Sequence, residues 1–242
     1  MVTLSISVII TFMIAWGVFG NAPLKTVSDE QKSVFSLPYV AYVFWSIIYG
    51  AQYVHLIRAT LIPATQFTKI GGWNIAISIL NVLWVYLFCK RMIWVSSGAM
   101  VAILSILLKI YFMIDIKYFR GDDIYTILFD YAPYSIYLGW IIVACFANLF
   151  AIGKQTLDDR EIESVRLVES QQAAAVVLFL GIVSGFLFVI QRNDFIIAVV
   201  TFVVTMLLTW NNKKDMNIWV GFVFSTIVIA SCTLADVIII LY

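Results

Sequence analysis

The sequence predicts an all-α polytopic membrane protein with about eight transmembrane helices, and three observations support this. The 242-residue chain is 63% hydrophobic and has a mean hydropathy of +1.00, which is more apolar surface than one water-soluble core of this size can hide. Only 12% of its residues are charged, against about 25% in soluble domains. The charges interrupt the apolar runs at intervals of about 20 residues, the length that a spanning helix requires.

Composition also excludes several classes of function. With 15 Lys and Arg against 14 Asp and Glu, the net charge of +1 gives no electrostatic basis for binding nucleic acid. The single histidine, His55, excludes bis-histidine haem ligation within the chain, and no metal site is predicted. The three cysteines lie far apart in apolar runs and are interpreted as small core residues. The spans hold no Ser/His/Asp arrangement, phosphate loop or paired carboxylates, so we expect no enzymatic activity.

Eight apolar segments are predicted as spans, and in chain order they are 4–20, 38–58, 70–89, 92–114, 133–152, 171–191, 195–211 and 217–241. The first span lacks the basic start of a signal peptide, and we interpret it as a retained helix. Three breaks, at 90–91, 191–194 and 211–215, are polar and short, and each predicts a tight hairpin. Two longer connections, 116–132 and 154–170, carry most of the acidic residues.

These segments divide the chain into three parts. We expect a five-helix core over residues 1–153, a polar connecting loop over 154–170, and three additional transmembrane helices over 171–242. The odd-numbered loops carry nine of the 15 Lys and Arg residues, and the even-numbered loops with their helix ends carry six. This bias favours odd loops inside and both termini outside.

The predicted second helix carries an aromatic and polar stripe. Pro38 marks its start, because proline is tolerated in the first helical turn. Tyr42, Trp45, Tyr49 and Gln52 follow at steps of three and four residues, which places them on one face. The stripe extends about 15 Å along the helix at 1.5 Å per residue. That is deeper than an interfacial aromatic belt, although packing remains the alternative explanation for any single ring.

The predicted fifth helix repeats the opening of the second. Both read Pro-Tyr-x-x-Tyr-x-x-Trp, and the second copy begins at Pro133. Because three helices separate the two starts, these helices would enter the membrane from opposite sides, as in the inverted repeats of transporters. Trp140, Ala144, Ala147 and Asn148 then share one face.

The predicted third helix places Asn81 and Trp84 on one face. Asn81 lies in mid-span, where an unpartnered amide in hydrocarbon costs several kcal/mol, so it must point into the bundle. Its side chain either forms a helix–helix hydrogen bond or belongs to a ligand pocket. Together with Trp45 and Trp140, the two residues would define an apolar, aromatic pocket with few polar groups.

Four segments resemble the translocator protein/tryptophan-rich sensory protein (TspO/MBR) family, in its longer bacterial-type version with extra C-terminal helices. They are Asn21-Ala22-Pro23-Leu24 leading through Ser28-Asp29-Glu30, Pro38 through Tyr49, Asn81-Val82-Leu83-Trp84 followed by Leu87-Phe88, and Ala132 through Asn148. The last segment is the closest match. Together they cover about the first 150 residues, the five-helix core of the family. The Pro38–Trp45 spacing is one residue shorter than the family pattern, and the Pro-Pro-Gly-type turn of the short members is absent.

The resemblance implies a non-enzymatic protein that binds, and through binding transports or senses, a hydrophobic ligand such as a porphyrin, a haem-like molecule or a sterol-like molecule. Carried onto this chain, the implied ligand-binding residues are Trp45, Tyr49, Asn81, Trp84, Tyr137, Trp140 and Asn148. The first loop, 21–37, would cover the pocket. No firmly held cofactor is implied. A bacterial inner membrane fits the resemblance best, with an organelle membrane as the alternative.

Two other functions are compatible with the sequence. A secondary transporter of a small solute is favoured by the mirrored helix starts and by Asp236, a candidate proton or ion site unless it lies in water near the C-terminus. A structural subunit of a membrane complex would suit the scarcity of charge in the spans. The expected partners are therefore lipid, a hydrophobic ligand, and either a second copy of the chain or the subunits of a complex. His55, one turn before Arg58, is expected to be interfacial.

Overall fold

The computed structural model of the chain describes residues 2–19, 22–62, 70–114, 124–156 and 162–241. Within these ranges the chain forms nine helices and no strand. Two of them contain a π-helical segment, and one begins with a 3-10 turn. In chain order they are α1 (Val2–Ala15), α2 (Leu24–Glu30), α3 (Tyr39–Leu61, with Tyr39–Tyr42 as the 3-10 turn), α4 (Gly71–Cys89), α5 (Ile93–Met113), α6 (Ile124–Thr126, π-helical Ile127–Tyr131 and Ala132–Thr156), α7 (Ile162–Val183 and π-helical Ser184–Ile190), α8 (Phe195–Asn211) and α9 (Met216–Leu241).

The predicted all-α polytopic membrane fold is confirmed. Six of the described helices, α3 to α7 and α9, are long and apolar enough to cross a membrane. The other two apolar helices are shorter, with 14 residues in α1 and 17 in α8. The predicted span 4–20 is too long, because α1 ends at Ala15. Gly17 adopts a positive φ of 79°, and the Val18 N–H donates to the Met13 carbonyl, a pairing that closes a helix C-terminus.

The predicted tight hairpins are confirmed at 90–91 and 191–194, where Arg91 and Asn193 adopt φ values of 62° and 54°. The two longer predicted connections are partly wrong, because helix extends into both. In the first, residues 124–132 are helical, and in the second, α6 continues to Thr156 and α7 begins at Ile162. The remainder, 116–123 and 157–161, lies outside the described residues.

The helix start predicted at Pro133 is also wrong, since α6 begins at Ile124. Proline lacks the N–H that would bond to the carbonyl four residues earlier, that of Phe129. A π-helical turn precedes Pro133, a local widening that accommodates such an interruption. The His55 Nδ1 lies 3.2 Å from the Phe129 carbonyl oxygen, so this group has a partner from α3.

One hydrophobic core runs through the whole bundle, from Ile14 in α1 to Ile218 in α9. Within it, α6 is central and packs against α3, α5 and α8, while α1 packs against α4. The C-terminal helices dock on the core through α8, and α7 packs most extensively against α9. All three cysteines are buried, and no disulfide joins any two of them, as their apolar surroundings predict.

Candidate functional site: an aromatic cavity under a lid

The two Pro-Tyr-x-x-Tyr-x-x-Trp segments run in opposite directions and meet at their tryptophans. Trp45 of α3 contacts Trp140 of α6, with ring centroids 6.1 Å apart. His55 lies ten residues after Trp45 on α3, and Asp130 lies ten residues before Trp140 on α6. The His55 Nδ1 is 3.2 Å from the Asp130 Oδ1. The antiparallel arrangement expected from the mirrored helix starts is therefore present.

Trp45 lies at the centre of a buried aromatic cluster. Its indole stacks on Trp84 with centroids 5.6 Å apart and an interplanar angle of 26°. It meets Trp140 edge-on at 78°, and it also contacts Tyr49 and Tyr137 at 5.6 Å and 6.1 Å. The exposed fractions of Trp45, Trp84 and Trp140 are only 9%, 7% and 3%. Three helices thus contribute one indole each to the same interior layer.

Hydrogen bonds fix part of this layer and leave two polar atoms without partners. The Trp84 Nε1–H donates to the Asn148 Oδ1 at 3.3 Å, and the Asn81 Nδ2 donates to the Tyr137 hydroxyl. The Trp140 Nε1 and the Asn81 Oδ1 are buried and have no hydrogen-bond partner among the described residues. Because buried polar atoms are nearly always paired, each is a position where a ligand or water can bind.

A cavity of about 70 Å³ lies beside this cluster. The side chains that line it belong to the described residues Leu24, Ser28, Gln31, Ser36, Leu37, Tyr42, Trp45, Trp84, Phe88, Trp140, Ala144, Ala147, Asn148 and Ala151. Each of these is uncharged. The wall is therefore aromatic and aliphatic, with a few hydroxyl and amide groups.

The segment from residue 22 to 38, here called the lid, covers one side of the cavity. It comprises α2 and the irregular chain that leads to α3. Val27 and Phe35 are fully buried, and the Phe35 ring stacks on Phe150 of α6 with centroids 4.9 Å apart. The Ser28 hydroxyl lies 3.0 Å from that of Tyr42. The lid is thus packed onto the bundle in a closed position, at what we call the lid end.

The structure brings four of the predicted ligand-binding residues to the cavity wall: Trp45, Trp84, Trp140 and Asn148. The other three are not among the lining residues: Tyr49 and Tyr137 contact Trp45, and Asn81 bonds to Tyr137.

Tyr42 lies on the predicted aromatic stripe and Phe88 in a family motif, but the predicted ligand-binding residues include neither of these two, nor the five lid side chains, nor Ala151. For Ala151 a signal existed, because Ala144, Ala147 and Ala151 follow at helical spacing and leave free space beside Trp140.

A second polar cluster lies at the opposite end of the bundle, which we call the far end. His55, predicted to be interfacial, is 1% exposed and lies inside the bundle. Its Nδ1 lies 3.2 Å from the Asp130 Oδ1, and the Arg58 Nε donates to the Asp130 Oδ2 at 3.0 Å. The sequence did not indicate this partner, because Asp130 falls in a segment predicted as a loop and actually lies in the π-helical turn of α6.

Asp236, the candidate proton or ion site, also lies near the far end and does not line the cavity. It is 1% exposed, which contradicts the explanation that it lies in water. Both carboxylate oxygens accept from the Asn193 Nδ2 at 2.8 Å. Its partner is thus a neutral amide in the hairpin between α7 and α8.

Fold and site together define a polytopic α-helical membrane protein with a lidded, uncharged aromatic cavity. The family model described as TSPO-like protein matches residues 1–241. The chain belongs to this TSPO-like family, which confirms the resemblance drawn from its motifs, and the match includes the last three helices. No curated protein and no solved structure matches the chain.

Proposed function

We propose that this protein binds a flat, hydrophobic ligand of the porphyrin type in the cavity between the lid and the Trp45 cluster, and that it transports or senses this ligand. The observation that carries the proposal is the convergence of Trp45, Trp84 and Trp140 on one uncharged cavity. Indole faces stack well on flat aromatic molecules, and pockets of this kind bind apolar ligands with a few polar groups for orientation.

Binding rather than catalysis is proposed because of the chemistry of the lining. The described side chains that line the cavity include no His, Cys, Asp, Glu or Lys, which are the usual general acids, general bases and strong nucleophiles. The family resemblance supports the same reading, and it supports a bacterial inner membrane as the location.

The size of the cavity implies that the ligand binds after a conformational change. About 70 Å³ is several times smaller than the roughly 300–1,000 Å³ of sites for drug-sized ligands. The described lid is closed, so a porphyrin-sized ring requires the lid to move outward and the indoles to separate. A flat ring could then replace the stacking between Trp45 and Trp84 with stacking on each of them.

Polar groups around the cavity favour a tetrapyrrole over a sterol. The Trp140 Nε1–H has no acceptor among the described residues and can donate to a heteroatom of the ligand. The carboxylates of a porphyrin would lie outside the uncharged wall. Lys32 and Lys90 are exposed at the lid end and can attract them. A sterol offers neither a flat aromatic face nor a carboxylate.

The test is quenching of tryptophan fluorescence in the detergent-purified protein, titrated with protoporphyrin IX. We expect saturable quenching by the wild type and about tenfold weaker binding by Trp140→Ala, which removes an aromatic wall. Trp140→Phe retains the ring but not the N–H, and should lie between the two. The matched control is Trp94→Ala, since Trp94 is 61% exposed on the bundle surface and should leave the affinity unchanged.

Two outcomes would count against the proposal in different ways. Wild-type protein that shows no saturable quenching with protoporphyrin IX would refute the ligand class. Saturable binding with equal affinity in Trp140→Ala and Trp94→Ala would refute the site. A parallel titration with cholesterol distinguishes a sterol-binding cavity from a porphyrin-binding one.

A further inference from the structure

The lid is tied to helices that the five-helix core does not include. The Val34 N–H donates to the Glu169 Oε1 of α7 at 2.9 Å. The Val34 carbonyl accepts from the Asn212 Nδ2, just after α8, at 2.9 Å. The Ser36 carbonyl accepts from the Asn211 Nδ2 at 3.2 Å. We call Glu169, Asn211 and Asn212 the latch.

These three bonds matter because they satisfy backbone groups of an irregular segment. Residues 32–38 have no helix or strand to pair their peptide groups, and Val34 is only 8% exposed. A backbone N–H or C=O that is removed from water without a partner costs free energy comparable to a lost hydrogen bond. The closed conformation of the lid therefore depends on side chains from α7 and from the α8–α9 hairpin.

A second set of hydrogen bonds holds the latch in position. The Ser170 hydroxyl, next to Glu169, donates to the Asp215 Oδ1 at 2.6 Å. Asp215 caps α9 by accepting from the Asn217 N–H at 3.1 Å, and the Asn217 side chain donates to Ser170 at 3.0 Å. The start of α7 and the start of α9 are thereby joined directly beneath the residues that contact the lid.

The ion pair that joins the lid to the core is a weaker attachment than the latch. Glu30 pairs with Arg91 in the α4–α5 hairpin at 2.6 Å, but the two side chains are 39% and 50% exposed. Exposed ion pairs contribute little to stability and are screened by salt. The apolar contact of Phe35 with Phe150 would be present in any closed lid. It therefore does not distinguish attachment to the core from attachment to the C-terminal helices. A partly buried contact between the Ser28 and Tyr42 hydroxyls joins α2 to the core, whereas the irregular residues Val34 and Ser36 are bonded to side chains of the C-terminal helices.

We propose that the three C-terminal helices, α7 to α9, regulate access to the aromatic cavity by latching the lid shut. Breaking the latch frees the lid, so any signal that separates α7 or the α8–α9 hairpin from the lid opens the cavity. The nature of the ligand that gains access rests on the function proposed above. The latch itself requires no ligand and is tested without one.

The primary experiment is hydrogen–deuterium exchange of the full-length protein in detergent, read on peptides that cover residues 31–38. Asn212→Ala removes the bond to the Val34 carbonyl, and we expect about five- to tenfold faster exchange in the lid, the factor that corresponds to one net hydrogen bond. Met216→Ala is the matched control, because Met216 follows the same hairpin at the start of α9, is 74% exposed and belongs to neither of these two sets of hydrogen bonds. Equal lid exchange in these two variants would overturn the proposal.

Glu169 provides an independent pair of variants. Glu169→Gln retains the oxygen that accepts from Val34 and should exchange close to the wild type, whereas Glu169→Ala should behave like Asn212→Ala. Asn212→Asp keeps the shape of the side chain but turns a donor into a charged acceptor facing a carbonyl, so it should accelerate exchange further. If both Glu169 variants exchange at the same rate, the contact to Val34 does not hold the lid.

Stopped-flow quenching with protoporphyrin IX then links the latch to the cavity. Asn212→Ala should raise the association rate constant by a factor similar to its effect on exchange, and Met216→Ala should not. If Asn212→Ala accelerates lid exchange but the wild type does not bind protoporphyrin IX, the latch is upheld and the proposed ligand is refuted. Porphyrin binding with unchanged lid exchange in Asn212→Ala would refute the latch and leave the cavity proposal standing.

Discussion

Asp130 is a buried residue that joins two helices, α3 and α6. Its two carboxylate oxygens face His55 and Arg58, both on α3, while Arg58 also donates to the Thr126 hydroxyl at 3.3 Å. Such a carboxylate is tolerated inside a membrane protein only because a cation and a polar ring satisfy it. In the same π-helical turn, the Phe129 carbonyl lacks its helical N–H partner at Pro133, and His55 contacts it instead. His55 therefore contacts both the helix interruption and the Asp130 carboxylate.

Replacing Asp130 with asparagine should therefore be strongly destabilising. The variant leaves Arg58 without its carboxylate in a mostly buried position, and breaking such a pair costs about 3 kcal/mol, the low end of the usual range because Arg58 is 23% exposed. The measurement is the free energy of unfolding of the detergent-solubilised protein.

The control for this prediction is Asp236→Asn. Asp236 faces the neutral amide of Asn193, so its neutralisation strands no charge and should cost under about 1 kcal/mol. Similar losses in the two variants would show that the Arg58 pairing is not what stabilises the far end.

At the scale of helices, α7 and α9 pack closely because small residues face each other. A Cβ added to Gly221 of α9 would lie 2.6 Å from the Ala174 carbonyl oxygen of α7. A Cβ on Gly181 of α7 would lie 2.7 Å from the Ser225 Cα of α9. Close approach through small residues is a principal source of helix association in membranes, where apolar burial drives little. This packing sets the position of the latch.

We expect Gly221→Ala to destabilise the protein by about 2 kcal/mol, since the methyl group meets backbone that cannot rotate away. Gly98→Ala is the matched control. Gly98 also lies inside a helix, α5, but an added Cβ meets nothing within 4 Å, so alanine should be neutral or stabilising by up to about 1 kcal/mol. Thermal unfolding in detergent checks both, and equal midpoints would contradict the assigned role of the α7–α9 contact.

At the scale of the whole molecule, Asp194 joins the core to the C-terminal helices. Its Oδ2 accepts from the Tyr111 hydroxyl of α5 at 3.0 Å and from the Ser135 hydroxyl of α6 at 2.6 Å. Its Oδ1 caps α8 through the Ile196 and Ile197 N–H groups. Burial raises the pKa of this hairpin carboxyl to about 6, although the four donated bonds act to lower it.

This raised pKa predicts a pH dependence of stability. Because the folded value lies above the roughly 3.9 of an unfolded chain, the contribution of Asp194 to stability is complete below about pH 4 and is lost as the pH rises through 6. A shift of about two pKa units corresponds to roughly 3 kcal/mol.

The measurement compares the wild type with Asp194→Asn between pH 4 and pH 7. Asparagine does not titrate, so the wild-type free energy of unfolding should fall relative to that of the variant as the pH rises. A difference that stays constant over this range would contradict the raised pKa.

Several features of the site were predictable because they repeat with the period of a helix. The indoles of Trp45, Trp84 and Trp140 could be assigned to interior faces from spacing alone, and the mid-span position of Asn81 required a partner. The partner itself, the Tyr137 hydroxyl, was not predictable. Spacing specifies which face a residue occupies, but which faces meet depends on the packing of the whole bundle.

The membrane class, the approximate spans, the tight hairpins and the aromatic faces were determined by the sequence, because hydropathy and periodicity act over one or two helical turns. Only the tertiary structure decided the closed lid, the latch and the burial of His55. Those contacts join residues 135 and 178 positions apart in the latch and 75 apart in the His55–Asp130 pair. Their geometry arises from side-chain packing and hydrogen-bond satisfaction across separate helices, which no local pattern encodes.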